Sequence, residues 1–482
     1  MKKSLIPLLI IFFFPLFLHA SKVTDAAVCA PHRVIILTDI EADPDDTESM
    51  VRLFLYSNEI DIRGIVASTS THMRTSIHPD SIRKVISAYA EVYPNLLNHD
   101  KNYPEPEKLY GLVKVGLPVY GMEGVGEGHT SEGSECIIRE LLKEDERPLW
   151  ISVWGGSNIL AQALYDLRER VSVADLGLLL KKLRVYTISD QDDSGAWIRK
   201  EFPELFYIVS PGGYGAATWC GINQYVSGID NTTISNQWIA DNIQQGHGPL
   251  GATYPDVAYG MEGDTPAWLS LIPNGLNSPE HPNWGGWGGR YEYYTPDISK
   301  TDPKGFNGNV PVEQETHPIW TNAVDTYVPF EKGDYGRSIK KSNKSYSGYT
   351  TTIWRWRDDI QNDFAARMDW TVKSYEDANH PPVPVVKGED HLTIKSGAYF
   401  AFDASASSDP DGDSITFYWF EYPEAGTCQQ AVEFTGAENL SHLGFRAPHV
   451  TEKATIHIIL RVSDKGTPSL SRYKRLVVTV VP

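Results

Sequence analysis

Residues 34–37 are four apolar positions in a row, and after a polar turn Met50, Leu53 and Phe54 fall on one face of a helical run at 47–56. A buried strand followed by an amphipathic helix is the simplest reading. The scheme repeats along the first half of the chain. Strands are predicted at 60–67, 119–121, 149–154, 183–188 and 206–210, with helices at 78–93, 136–142 and 159–168. Strands alternating with helices predict an α/β domain with a mainly parallel sheet. The polar turns after its strands then gather at one edge, so Asp45, Ser70, Asn158 and Asp192 are expected to converge.

Periodicity fades over 211–375, a segment rich in Gly, Pro, Trp and Tyr, although 364–375 has helical character. A proline-rich joint at 379–384 marks a boundary. Beyond it, strand signals at 391–394, 398–402, 415–420, 454–462 and 475–481 predict a small C-terminal all-β sandwich, Ig-like in type. The expected organisation is an α/β domain over 30–378 with long aromatic loops, followed by a sandwich over 383–482.

Residues 1–20 combine Lys2-Lys3, an apolar core and Leu18-His19-Ala20, which reads as a signal peptide and predicts a secreted or periplasmic protein. The alternative is a membrane anchor, but the apolar part is short for a span of ~20 residues, so no stable membrane insertion is expected. The formal charge of −19 becomes −21 once two lysines leave with the leader. Nucleic-acid partners need a basic footprint that this chain lacks. Four cysteines, Cys29, Cys136, Cys220 and Cys428, are too dispersed for a zinc site, and disulfides and free buried thiols both stay open.

Chemistry concentrates in the turn at 39–46, where Asp39, Glu41, Asp43, Asp45 and Asp46 place five carboxylates in eight residues. Unit charges ~4 Å apart repel by about 4 kcal/mol at an effective dielectric of ~20, so carboxylates that converge need a cation, a raised pKa or open solvent. The plainer alternative is local: Asp45 or Asp46 caps the helix and Asp43-Pro44 is a turn.

The residues Asp39-x-Glu41-x-x-x-Asp45-Asp46 resemble the acidic fingerprint Asp-x-Asp-Pro-Gly-x-Asp-Asp of the inosine-uridine nucleoside hydrolases. Residues 43–46, 154–158, 262–266 and 284–291 together resemble a secreted bacterial family described as nucleoside-hydrolase-like and cellulose-binding, across nearly the whole mature chain including the sandwich. The resemblance implies a Ca2+ site with Asp46, Asp264, Asp39 and Glu41 as ligands and the Val153 carbonyl as the main-chain one. Asp45 would be the catalytic base. Glu41 is a methylene longer than the usual aspartate, Ala42-Asp43 replaces Pro-Gly, and Gly263-Asp264 replaces a His-Asp pair, so nucleoside specificity is not implied.

Substrate contacts are expected from Ser70, Asn158, Asp192, Asp193, Glu262, Trp284 and Trp287, with Tyr291 and Trp354 as further rings for stacking. A helix cap is the alternative for the Asp192 cluster, and a secondary aromatic core is the alternative for the tryptophans. In the sandwich, 408–413 superficially suggests a calcium loop but lacks EF-hand spacing, so a turn between strands is expected. The function expected is a metal-assisted hydrolase of an N-glycosidic or related glycosyl bond. Its partner would be a carbohydrate, a nucleoside-like molecule or a polysaccharide. The alternative is a non-catalytic binder of cellulose or another plant polysaccharide that uses a remodelled hydrolase site.

Overall fold

In the computed structural model the first strand, β1 (Arg33–Thr38), is buried along its whole length. Val34 and Ile36 enter one hydrophobic core while Ile35 and Leu37 enter another on the opposite face of the sheet. An unbroken apolar run is therefore what this position requires. The structure describes residues 30–212, 219–301, 310, 313–332, 339–435 and 437–482. Residues 1–20, read from the sequence as a leader, and Cys29 lie outside them.

Around β1 runs an eight-stranded sheet with β2 (Asp61–Ala67), β3 (Val113–Val115), β4 (Leu149–Val153), β5 (Leu183–Thr187), β6 (Phe206–Val209), β7 (Tyr291–Tyr294) and β8 (Ile319–Asn322). Their order is β3-β2-β1-β4-β5-β6-β8-β7, and all neighbours are parallel except β7 with β8. The order reverses between β1 and β4, so a crevice opens at the carboxyl ends of these two strands. Helices α1 (Asp45–Leu55) and α2 (Pro79–His99) follow β1 and β2.

Two expectations shift. The third strand is Val113–Val115, paired with Ile65 to Ala67, instead of 119–121. The Val119 carbonyl is occupied by side-chain donors from Thr69 and Asn158, so that stretch is a loop. The late helix spans Arg357–Asp369 and starts seven residues earlier than its periodicity suggests. No described helix is long and apolar enough to cross a membrane.

The C-terminal sandwich packs a four-stranded sheet (Thr416–Glu421, Ala454–Ser463, Ser471–Val481, His391–Lys395) against a three-stranded one (Tyr399–Asp403, His442–Arg446, Glu433–Phe434). Its seam with the α/β body is polar and tight. Arg472 donates to Asp363 at 2.6 Å, Tyr473 donates to Asp359, and Arg475 donates to the carbonyls of Leu276 (2.9 Å) and Gly285 (2.8 Å). Tyr422 donates to Asp325, which also binds Arg290 and Arg355. Gly275 and Gly285 have positive φ, and a Cβ there would strike the Tyr473 carbonyl at 1.9 Å and the Tyr422 hydroxyl at 2.3 Å.

His457 sits in this seam at 1 % exposure, with its Nδ1 3.1 Å from Arg475. Burial, then the Arg475 charge, lower its pKa to about 3. An unfolded histidine titrates near ~6.5, so the contribution of neutral His457 is complete above that pH and is lost as pH falls from about 6.5 toward 3. Urea midpoints measured from pH 7.5 to 4.5 should fall more steeply for the parent than for His457→Asn; parallel curves would remove this role.

Candidate active site

The crevice between β1 and β4 opens as a cavity of 480 Å³ lined by Asp39, Asp43, Asp45, Asp46, Asp264, His72, Gln191, Trp219 and Tyr259, with Ala42 at its wall. Strand β1 delivers Asp39 from its end, and the first turn of α1 delivers Asp45 and Asp46. Neither of the latter is the helix cap. The cap position is Pro44, and the Asp45 N–H is taken by Asp43 Oδ1 at 3.2 Å. Carboxylates of Asp43, Asp45 and Asp46 offer oxygens within 4.8 Å of one another.

Electrostatics separate these groups from an ordinary acidic surface. Burial first, then the neighbouring carboxylates, push Asp45 well above the usual carboxylate range. Asp46 shifts the same way, through burial and then Asp39, while the Thr38 hydroxyl that donates to it pulls the other way. Burial and then the charges of Asp45 and Asp46 raise Asp264. Asp39 reaches about 6, with burial as the main cause and a Ser70 hydrogen bond opposing it. One oxygen of Asp264 is buried with no hydrogen-bond partner among the described residues. A convergent set of hard oxygen donors with such an orphaned acceptor fits a divalent cation.

The loop that carries Asp264 is fixed from below. Glu262, at φ +49, forms an ion pair with Arg52 at 2.5 Å, both fully buried, and accepts from Tyr254 and Thr265. Its own N–H donates to Glu48 at 2.7 Å, and burial lifts Glu48 to about 9. Glu262 is thus a support of the site and not one of its walls. A Cβ at Gly263 would lie 2.0 Å from Trp219 Nε1 and 2.6 Å from Asp45 Oδ2, so glycine there lets the indole donate to Asp45 at 2.8 Å.

Several predicted ligands stand elsewhere. Glu41, at φ +82, turns outward and accepts from Ser81 at 2.5 Å, and Asp43, read as a turn residue, takes the place in the cluster. The Val153 carbonyl accepts the Ile188 N–H at 3.2 Å within the sheet. Asp192 accepts from the N–H groups of Asn158 and Ser194, tying the turn after β5 to the helix after β4. Asn158 spends its amide on Thr69 and Val119, Ser70 braces Asp39, and Asp193 accepts from the Met122 N–H. These four hold the crevice together without lining it.

The tryptophan loop is also structural. Trp287 is fully buried and edge-on to Tyr473, while Trp284 stacks on His281 and meets His457 in the seam. Tyr291 is tied to Tyr186, and Trp354 lies between Tyr327 and Tyr346. Glycines in this loop admit Tyr422 and Asn277, not a ligand. The aromatic walls of the cavity are Trp219 and Tyr259, the latter 88 % exposed. Both come from the aperiodic segment, where no spacing marks them; His72 carried a weaker signal as the end of the polar run after β2. Cys136, Cys220 and Cys428 are free thiols.

Residues 33–291 match the family described as cellulose-binding Sde182, nucleoside hydrolase-like domain, and residues 399–480 match the C-terminal domain of cellulose-binding protein Sde0182. Among solved structures, a nucleoside hydrolase-related protein from Saccharophagus degradans, described as associated with carbohydrate metabolism, is 34 % identical with a TM-score of 0.77. That match covers 93 % of this chain and 100 % of the other. The effector protein XOO4466 is 11 % identical with a TM-score of 0.32, over 60 % of this chain and 87 % of its own. No curated protein matches.

Proposed function

Since this chain belongs to the Sde182 family of nucleoside hydrolase-like proteins, we propose that it is an exported, metal-assisted hydrolase of a glycosyl bond in a carbohydrate substrate. The observation that carries this reading is the Asp43, Asp45 and Asp46 cluster facing one cavity with Asp264, whose buried oxygen has no partner among the described residues. Asp43, Asp46 and Asp264 would hold calcium, with Asp39 behind them. When bound, the ion would engage a sugar diol and lower the pKa of a water.

The side chains define the remaining roles. Trp219 fixes one oxygen of Asp45 by its indole N–H and so orients the carboxylate that would accept a proton from an attacking water. The gathered negative charge suits an oxocarbenium-like transition state. Trp219 and Tyr259 offer ring faces to the C–H face of a sugar. The cavity volume lies in the range of small-molecule sites, and the indole beside Gly263 narrows the ground next to Asp264, which favours a sugar over a nucleoside base.

A second reading, carbohydrate binding without turnover, is favoured by that same indole bond, because Trp219 competes with water for Asp45. Aryl glycosides, cello- and xylo-oligosaccharides and nucleosides incubated with calcium or with chelator separate the two. Calcium-dependent release of a reducing sugar is expected; binding with no product across the panel would leave only the second reading.

A further inference from the structure

The strand Thr416–Glu421 carries aromatic side chains on both faces. Trp419 points into the sandwich core at 0 % exposure, as alternation demands. Tyr418 and Phe420 point the other way, where a sandwich surface is normally polar, and their near-parallel rings lie 5.4 Å apart, Tyr418 buried and Phe420 half-buried. The α/β body covers part of this face through Trp356, 6.1 Å from Phe420. What stays open is a groove of 320 Å³ at the seam, bordered also by Tyr327, Arg355 and Glu424.

From this groove we infer a second carbohydrate site, one that holds a segment of a neutral glucan chain apart from the hydrolytic cavity. Flat aromatic rings with polar groups at their edge suit pyranose rings, whose faces are apolar and whose rims carry hydroxyls. The charges argue for neutrality. Arg355 and Glu424 stand 4.0 Å apart on the same groove, so an anion meets the carboxylate and a cation meets the guanidinium.

Hydrogen-bonding capacity is also left over, and in both senses. Two donors, Trp356 Nε1 and Arg355 Nε, and one acceptor, Glu424 Oε2, are buried without a hydrogen-bond partner among the described residues. A buried polar atom left without a bond opposes the fold, and a hydroxyl is the group that donates and accepts at once. Trp356 and Arg355 come from the body and Glu424, Tyr418 and Phe420 from the sandwich, so neither part forms the groove alone. The inference rests on the carbohydrate reading above only in the class of ligand.

Cellohexaose titration and sedimentation with microcrystalline cellulose, both on the full chain, test it. Phe420→Ala with Glu424→Gln should weaken both at least tenfold, while calcium binding and hydrolysis of small soluble substrates stay at the parental level. Asp46→Ala should do the reverse. Where the double variant melts early, Glu424→Gln alone decides, with an expected loss of about fivefold. Unchanged cellohexaose affinity in Glu424→Gln, or loss of cellulose binding in Trp219→Ala, would overturn the second site; failure of hydrolysis with cellulose binding intact would overturn only the enzymatic reading.

Discussion

Asp46→Asn is expected to remove calcium binding and turnover together, and to make the ion-free protein melt higher than the ion-free parent. The first effect follows from position. Asp46 is 2 % exposed, shares the cluster with Asp43 and Asp45, and acts on Asp264 through its charge. Losing ~4 kcal/mol of transition-state stabilisation corresponds to roughly 10³-fold in rate, the scale expected when a metal-centred activation is lost. The second effect is opposite in sign because no cation balances the cluster in the chelated protein.

The sign with pH follows from linkage. Carboxyls raised by burial and by each other oppose folding when charged, and this cost disappears as pH falls and they take up protons. The stabilisation of Asp46→Asn over the parent should therefore be largest near neutral pH in chelator and shrink on acidification. Adding calcium should reverse the order. Scanning calorimetry of both proteins, with chelator and with calcium, at pH 7.5 and 5 checks all three statements; a parent that melts higher in chelator at pH 7.5 would remove the cation assignment.

Arg52→Ala should cost roughly 3–5 kcal/mol, the range for breaking a fully buried ion pair, and should lower calcium affinity although Arg52 is not in the cavity. Arg52 binds Glu262, the carbonyl of Ile360 and the amide of Gln361, and its guanidinium lies 3.9 Å from the Phe364 ring centre. Its removal leaves Glu262 charged and dry, two residues before Asp264. The double variant Arg52→Met with Glu262→Gln should recover much of the stability, since no unpaired charge is left behind. Denaturant titration of the three variants measures the coupling, and additive losses would show that the pair is not the support of the loop.

The positions of β1 and β4 were legible because each is buried on both faces and reads as a nearly continuous apolar run, while β2, β5 and β6 were legible from apolar residues that dominate strands interrupted by few polar ones. Strand β3, three residues long, carries too little pattern to stand out. The two-residue strand Glu433–Phe434 was missed for the same reason, and His442–Arg446 because Gly444 at its centre and polar residues at both ends leave only Leu443 and Phe445 to mark it. In the site, Asp39, Asp45 and Asp46 were legible as carboxylates at a strand end and a helix start, while Asp264, alone in an aperiodic stretch, entered only through the family resemblance. The exchange of Glu41 for Asp43 was not, because it depends on a left-handed backbone at Glu41 that turns one carboxylate out and leaves the next to point in. Composition also misled at Trp284 and Trp287. Tryptophan beside glycine suits a ligand platform and a close-packed seam equally, and only the contact with Tyr422, His457 and Tyr473 distinguishes them.

Gly275 and Gly285 leave no space for a side chain against the backbone of Tyr473 and the ring of Tyr422. Such contacts constrain how the gene can be rearranged as well as how the chain folds. A C-terminal module borrowed from another protein would meet this loop with the wrong partners, and a body cut free at the proline-rich joint would carry an aromatic face with nothing to cover it. A piece exchanged intact therefore has to carry, with the sandwich, the loop from Asn274 to Tyr291 and the seam partners Asp325, Asp359 and Asp363, a unit that crosses the boundary drawn by sequence texture.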